Sequence, residues 1–470
     1  MIPLRPCFRF LRLVLGVLLW TGGCGPELDT RTALIVQTLI DQDRDLIATR
    51  PALVAEKYQL MASGLQPFLR GTAALFYRDL SRYQDEQAAL WHGGGAEFIP
   101  LYGDVHLENV GVAQDAEGVL LDVVDFDATV SGPFGWEVRR AALAIHAALS
   151  LADLSPTVLS EVTRRFGDSY VSALQLLHRT SLPLPLTREQ SGSAGKIVTE
   201  LLADGRKRYQ QAEELAEYTE LASGVRRLRR DEELIALPDP WLRDLPLLLD
   251  SYRNTRRAGR GEDAQFEILD GVQRLSAGVA SLPNLRFWVL LAGDHRQAAG
   301  AASGGEWIVE LKEERDPPQP VAWLGRGPIG DNGQRVFVGT VALLASPSSE
   351  PDLGYVKRGG VSFQVRRVLR GRRDLDVERL TDRLRSGRYG TRDCLDLATT
   401  LGQLLAAGHG RRAKAYAIAT AIAQQQDPAG SFADSLAQAA AIDAHRLERD
   451  LLLFGRALVQ LGPLLSARRN

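Results

Sequence analysis

Gly103-Asp104-Val105-His106-Leu107-Glu108-Asn109, followed shortly by Val123-Val124-Asp125-Phe126-Asp127, decides how this chain is read. Each stretch begins where an apolar run ends: Phe98 to Tyr102 before the first, Val119 to Val124 before the second. Short apolar runs of this kind read as strands, and a strand end is where a rigid scaffold presents chemistry on a loop. Singly, such Asp and Asn residues are turn formers that satisfy nearby backbone N–H groups. Jointly they are rarer: a strand, Gly-Asp, an Asn five residues on, a second strand, then Asp-Phe-Asp.

The joint pattern suits phosphoryl transfer to a hydroxyl. One carboxylate orients or deprotonates the acceptor, while an amide and a second carboxylate hold the magnesium that bridges the nucleotide phosphates. The step from Asp104 to Asn109 matches the protein-kinase catalytic loop, and Asp125-Phe126 stands where that fold has Asp-Phe-Gly, with Asp127 replacing the Gly. Asp104 is therefore the candidate catalytic carboxylate, and Asn109, Asp125 and Asp127 are the candidate metal ligands. His106 reads as a residue whose hydrogen bond fixes the loop backbone, with metal ligation or proton shuttling as the alternative.

A nucleotide also needs cations and close backbone approach. Trp307-Ile308-Val309-Glu310-Leu311-Lys312-Glu313 alternates with a period of two and reads as a strand ending in Lys312, placed to grip phosphates. Ser276 to Ser281 precedes the apolar run Phe287 to Leu291, the position of a phosphate-cradling loop. Gly278 is the only glycine of that loop, and Gly278 and Ser281 are its candidate phosphate contacts. In ordinary kinases these parts come before the catalytic loop. Here they follow it, so the two assignments together imply lobes circularly permuted in sequence.

The rest of the chain frames this centre. Its 470 residues allow several domains, and 45% hydrophobic with 24% charged residues is globular composition. A net charge of -2 gives no electrostatic case for a nucleic-acid surface. Cys7, Cys24 and Cys394 are too few for a disulfide framework. Arg5, Arg9 and Arg12 before the apolar run Leu13 to Trp20 make an export leader, and Thr21-Gly22-Gly23-Cys24 resembles a bacterial lipobox. Acylation of Cys24 would anchor the protein in the cell envelope by a lipid; a mis-annotated start would leave it cytoplasmic.

Helical spacing marks 28–48, 72–90, 134 to about 180 and 390–462, and a charged helix is expected over 197–236. The pairs Arg226-Arg227 and Arg229-Arg230 then form a solvated face. Short β-type runs, Val336 to Val341 among them, predict a mostly antiparallel sheet over 262–375. The division expected is 1–24 leader, 25–261 helical catalytic-loop region, 262–375 β-rich nucleotide-lobe-like region and 376–470 C-terminal helical region.

Several blocks together resemble the bacterial domain-of-unknown-function family 2252, related to protein-kinase-like and aminoglycoside-phosphotransferase-like folds. They are Lys57 to Gly71, Gly103 to Gly111, Asp122 to Arg140, Gly278 to Leu291, Leu311-Lys312-Glu313, Asn332 to Val336, Val365 to Arg373 and Asp443 to Phe454. The resemblance implies an α+β, protein-kinase-like two-lobe fold, with Asp104, Asn109 and Asp125 in catalytic and metal positions and Lys312 in the nucleotide position. It supplies no substrate. The chain departs from the pattern at Gly278-Val279-Ala280-Ser281, which lacks a second glycine, at Tyr102 before Gly103-Asp104, and at Gly408-His409-Gly410.

The function expected is a kinase-like phosphotransferase, or a nucleotidyl transferase, using Mg2+ and ATP on an unidentified acceptor. Two alternatives stand beside it. One is a non-catalytic, kinase-like binding lipoprotein of the envelope. The other is a divalent-metal hydrolase with Asp104, His106, Asp125 and Asp127 as ligands.

Overall fold

The computed structural model describes residues 28–81, 98–180, 184, 187–188, 194–210, 214–257, 266–275, 278–293, 305–319, 330–369, 372–411, 414–424 and 430–467. It is a mixed α+β protein whose sheets are antiparallel. The leader and Cys24 lie outside the described residues. No described helix is long and apolar enough to cross a membrane.

Among the described residues four helices come first: α1 (Thr30–Thr49), α2 (Pro51–Ala62), α3 (Leu65–Gly71) and α4 (Ala73–Leu80). Asp29 caps α1 by accepting from the Arg31 and Thr32 amides, and α2 starts on Pro51, whose missing N–H costs nothing there. Strands β1 (Ile99–Leu101), β2 (Val110–Asp115), β3 (Gly118–Val123) and β4 (Val130–Gly132) follow. β1 pairs with β4 and β2 with β3, so the loops carrying Asp104 and Asp125 emerge side by side.

Helix α5 (Phe134–Ser150) is buried from Phe134 through Leu149, the signature of a central helix. Buried charge needs a partner, and the three charged residues of α5 each have one. Arg139 is held by both oxygens of Asp443 (2.7 and 3.0 Å), on helix Phe432–Leu461. Glu137 and Arg140 turn instead toward the Asp104 loop. The core that surrounds α5 draws on α1 to α4 and on helices Pro156–Thr180, Thr391–His409 and Phe432–Leu461.

A second body of structure is a six-stranded sheet ordered β11-β12-β10-β9-β8-β7. Its strands are β7 (Leu234–Ala236), β8 (Phe266–Arg274), β9 (Arg286–Gly293), β10 (Glu306–Glu314), β11 (Gly354–Arg358) and β12 (Val361–Arg367). Side chains alternate between its faces. Phe287, Val289, Val309, Leu311 and Phe363 pack against Leu245, Leu248 and Tyr252 of helix Asp239–Thr255. Trp288, Leu290 and Ile308 form a smaller cluster on the opposite face, which Glu310, Lys312 and Glu314 continue along β10.

Three sequence expectations change. Residues 197–236 are not one helix: a helix runs over Gly195–Gln210, and Thr219–Ala222 and Val225–Leu228 form a hairpin, β5 and β6. Its turn residues Ser223 and Gly224 both have positive φ (52° and 80°), the geometry that makes a two-residue hairpin turn match strand twist. The arginines counted as a solvated helix face tie this hairpin to the sheet instead, Arg226 on Glu306 (2.6 Å) and Arg230 on Asp270 (2.8 Å).

Val336 to Val341 is not a strand but part of helix Asn332–Leu343. Asp331 caps it through the Gln334 amide, and Val336, Thr340 and Leu343 are buried at helical spacing, which outweighs the β propensity of the valines. The helix expected over 72–90 ends at Leu80, and 82–90 lie outside the described residues. Strand β2, unread in the sequence, completes the sheet β13-β2-β3, where β13 is Arg373–Asp374.

Candidate functional site

The Asp104 loop is built on an inflexible turn. Gly103 has φ of +89°, and a Cβ there would lie 1.9 Å from the Ala128 carbonyl oxygen. Only glycine fits such a place. The Tyr77 hydroxyl (2.5 Å) and the Gln319 amide (2.9 Å) donate to the Gly103 carbonyl. The Tyr102 and Gly103 amides donate to Glu137 at 3.1 and 2.5 Å. His409 Nε2 lies 2.7 Å from the same carboxylate, and the Tyr170 hydroxyl lies 2.8 Å from His409 Nδ1. With a proton on Nε2, His409 donates to Glu137 while its Nδ1 accepts from Tyr170, which satisfies the whole chain.

From that turn, Asp104 accepts from Arg140 Nε at 2.9 Å, and Arg140 Nη2 donates to the Leu69 carbonyl at 2.7 Å. A single helical turn, Leu107–Asn109, then brings Asn109 back over the loop. Its Nδ2 donates to the Asp104 carbonyl at 2.9 Å, which leaves Oδ1 for a ligand. His106 is buried between them, and its Nδ1 has no hydrogen-bond partner among the described residues. The loop is therefore shaped by Glu137, Tyr77 and Asn109, with no hydrogen bond from His106 Nδ1. Burial pushes the His106 imidazole down to about 4, so it is neutral at pH 7.

Asp125 and Asp127 follow β3, and buried Phe126 between them packs on Tyr102 with ring centroids 5.6 Å apart. Lys312 reaches both carboxylates from β10. Its Nζ lies 3.3 Å from Asp125 Oδ1 and in direct contact with Asp127 Oδ2. The lysine side chain is 1% exposed, whereas those of Asp125 and Asp127 are 36% and 28% exposed.

Charge is distributed unevenly over this group. Burial acts to raise the Asp125 carboxyl, but Lys312, a hydrogen bond with Asp127 and the Arg366 and Arg286 charges together outweigh it and hold the group well below the usual range. Burial and then the Asp125 charge push Asp127 up to about 6. Burial acts to lower Lys312, and the two aspartates more than reverse this. Glu314, also on β10, is raised well above the carboxylate range by burial and by Asp127. β10 continues two residues beyond Lys312, which is what brings Glu314 in.

Gly278 and Ser281 lie on the connection from β8 to β9. Gly278 has φ of +78°. Ser281 Oγ accepts from Arg286 Nη2 at 2.9 Å, and Arg286 leans on Glu310 (3.3 Å), which also receives the Trp288 indole N–H at 3.1 Å. The connection is thereby fixed to the face of the sheet that carries Lys312.

These parts meet around one cavity of about 780 Å³, lined by Asp104, His106, Asn109, Asp125, Asp127 and Ser281 among others. Lys312 lies behind the two aspartates. Among the described residues, Asp127 Oδ1, Glu314 Oε1 and Gln319 Oε1 are buried without partners, and Asp127, Glu314 and Gln319 line the cavity. Unsatisfied oxygens of this kind suit a hard cation such as magnesium, which takes one or two carboxylates and leaves its other positions to water and phosphate. Among the described residues, no group of three or more His, Cys, Asp or Glu is arranged to hold a metal ion. The two-carboxylate-plus-amide set needs no such group; the four-ligand hydrolase alternative does.

The model of a bacterial family, described as uncharacterized protein conserved in bacteria (DUF2252), matches residues 49–457. The chain belongs to this family. No curated protein and no solved structure matches it. In this DUF2252 chain, every block named from the sequence lies inside the matched span.

Sequence reasoning missed the residues that hold the site. Glu137 and Arg140 sit in a helix too apolar for stray charge, and that mismatch was the available signal. His409, Gln319 and Glu314 gave no local signal, because their partners lie 272, 216 and 187 residues away in sequence or (for Glu314, facing Asp127) act through space. Arg335, on helix Asn332–Leu343, joins the Thr129 carbonyl (2.6 Å) to that of Arg315 (2.7 Å), tying the two loops together.

Proposed function

We propose that this protein is a magnesium- and nucleotide-dependent phosphotransferase of protein-kinase-like build. The observation that carries the reading is Lys312, delivered by the sheet, meeting Asp125 and Asp127 at the cavity that Asp104 and Asn109 line. The order turn, strand, strand with Lys, helix, two strands over 278–367 is compatible with a nucleotide lobe that follows its catalytic loop in sequence.

The residues present fit magnesium and a nucleoside triphosphate. Asp125, Asp127 and the free oxygen of Asn109 would hold the cation, whose role is to neutralise charge on the phosphates. Lys312 would contact phosphate, and Ser281 and the Gly278 backbone would border it. Asp104 orients the acceptor hydroxyl. In the transfer, the bond from the terminal phosphorus to its bridging oxygen breaks and a bond to the acceptor oxygen forms. The hydroxyl proton passes to Asp104, and the nucleoside diphosphate leaves. Arg140, bonded to Asp104, fixes where that carboxylate points.

A binding-only reading is favoured by one observation: Lys312 is committed to two carboxylates, and helix Asn332–Leu343 carries no acidic residue that could take it over. The test separates both readings from neither. Magnesium-dependent thermal stabilisation by ATP, lost in Asp125→Asn, is expected. Phosphate transfer in the wild type but not in Asp104→Asn supports catalysis, and binding without transfer supports the alternative. No stabilisation by any nucleotide overturns the proposal.

A further inference from the structure

Among the cations lining the cavity, Arg70 stands nearest the proposed chemistry, between the Asn109 loop and the β8–β9 connection. Arg70 lies in the last turn of α3, and Gly71 after it packs so closely on Met61 that a Cβ would lie 2.5 Å from that side chain. The backbone of Arg70 is thus pinned, and its guanidinium is aimed at the site. Arg70 Nη1 donates to Glu108 Oε2 at 2.8 Å, one residue before Asn109. On the other side, Nη2 lies 3.8 Å from where a Cβ on Gly278 would stand. Arg70 therefore bridges the gap between the catalytic loop and the β8–β9 connection.

The other cations lining the cavity are differently engaged. Lys57 is fully buried and bonded to both oxygens of Asp43, at 2.8 and 2.7 Å. Arg78 donates to Thr38 Oγ1 and faces Asp41 at 3.7 Å. Arg315 stands between Asp45 and Glu313, at 3.9 and 3.7 Å. Arg44 is 70% exposed on Asp41. Arg70 differs in standing between the Asn109 loop and the β8–β9 connection, with a single bond to Glu108 and the two side chains 27% and 24% exposed. A partly exposed pair joined by one bond is worth about 1 kcal/mol, so an incoming phosphate can replace the carboxylate at little cost while Glu108 turns to water.

We infer that Arg70 binds the terminal phosphate of the nucleotide, exchanging Glu108 for it when the nucleotide enters. This rests on the phosphotransferase reading and names a contact within it. A phosphate chain that begins at Ser281 and ends before Asp104 crosses the space Arg70 spans. The guanidinium fork matches phosphate oxygens two at a time, which a lysine ammonium does not. An arginine supplied from the same chain is also the group that stabilises charge on a transferring phosphoryl.

The test compares calorimetric binding of magnesium with a non-hydrolysable ATP analogue and of magnesium with ADP. Arg70→Ala should weaken the triphosphate about 10- to 100-fold and leave ADP within about twofold, as expected for loss of one charge-assisted contact. Arg70→Lys should recover part of the loss. Glu108→Gln, which frees Arg70, should hold or tighten triphosphate binding, and it keeps the inference open to refutation if Arg70→Ala does not fold. Equal weakening of both nucleotides by Arg70→Ala, no weakening of either, or weaker triphosphate binding in Glu108→Gln overturns the inference while leaving the phosphotransferase reading intact. A wild type that binds neither nucleotide overturns both.

Discussion

Replacing Lys312 by methionine removes the cation between Asp125 and Asp127 while keeping most of the side-chain volume. Breaking one partner of a fully buried ion pair costs about 3–5 kcal/mol, because the charge left behind has neither water nor a counter-ion. Lys312 is 1% exposed, but its partners are 36% and 28% exposed, so solvent recovers part of that penalty. We expect Lys312→Met to cost about 2–3 kcal/mol on these grounds. The electrostatic origin predicts a coupling: adding Asp127→Asn to Lys312→Met removes one of the stranded charges and returns at least about 1 kcal/mol. Urea unfolding at pH 7 of wild type, both single variants and the double variant reads this directly. A cost below about 1 kcal/mol for Lys312→Met, or an Asp127→Asn cost that is the same with and without Lys312, would refute the claim that the three groups form one charged unit.

Gly103→Ala forces a side chain into left-handed backbone and against the Ala128 carbonyl, costs of about 1–2 and 1–3 kcal/mol respectively; thermal unfolding should show it, and an unchanged Tm contradicts the turn geometry. Glu137→Ala leaves the Tyr102 and Gly103 amides unsatisfied in the core and should cost about 2–5 kcal/mol, more than Glu137→Gln, which keeps one acceptor; equal costs in denaturant unfolding would contradict the clamp. Asp122 accepts from the Val123 and Ala345 amides in full burial, and burial pushes its carboxyl up to about 7. The folded state then binds more protons than the unfolded one, so this contribution is fully present below the ordinary carboxylate range and is lost as pH rises through about 7. The stability difference between wild type and Asp122→Asn should therefore shift by roughly 2–3 kcal/mol against the wild type from pH 5 to pH 8; a difference independent of pH sinks the assignment.

What could be read from the sequence was whatever local pattern controls. Apolar runs ending in Gly103-Asp104 and Asp125 placed both acids at strand ends, and the alternation from Trp307 to Lys312 gave β10 with Lys312 on its polar face. The mixed α+β class with an antiparallel sheet followed from the same periodicities. Errors arose where local preference and tertiary context disagree. Val336 and Val338 favour strand, but a capping Asp331 and burial at helical spacing win. The arginines of 226–230 look like a solvated helix until Glu306 and Asp270, far along the chain, are available as partners. The supports of the site were unreadable for a related reason. Glu137 with His409, Gly103 with Gln319, and Asp104 with Arg140 are contacts of the folded chain alone.

The central claim, that Asp125, Asp127 and Asn109 share a cation beside Asp104 and Lys312, is tested most directly by anomalous scattering. Crystals grown with manganese in place of magnesium, together with a non-hydrolysable ATP analogue, should give a manganese peak within bonding distance of Asp125 and at least one of Asp127 and Asn109. An ordered nucleotide with its manganese elsewhere, or the side chains of 104, 109 and 125 facing different surfaces, would contradict it.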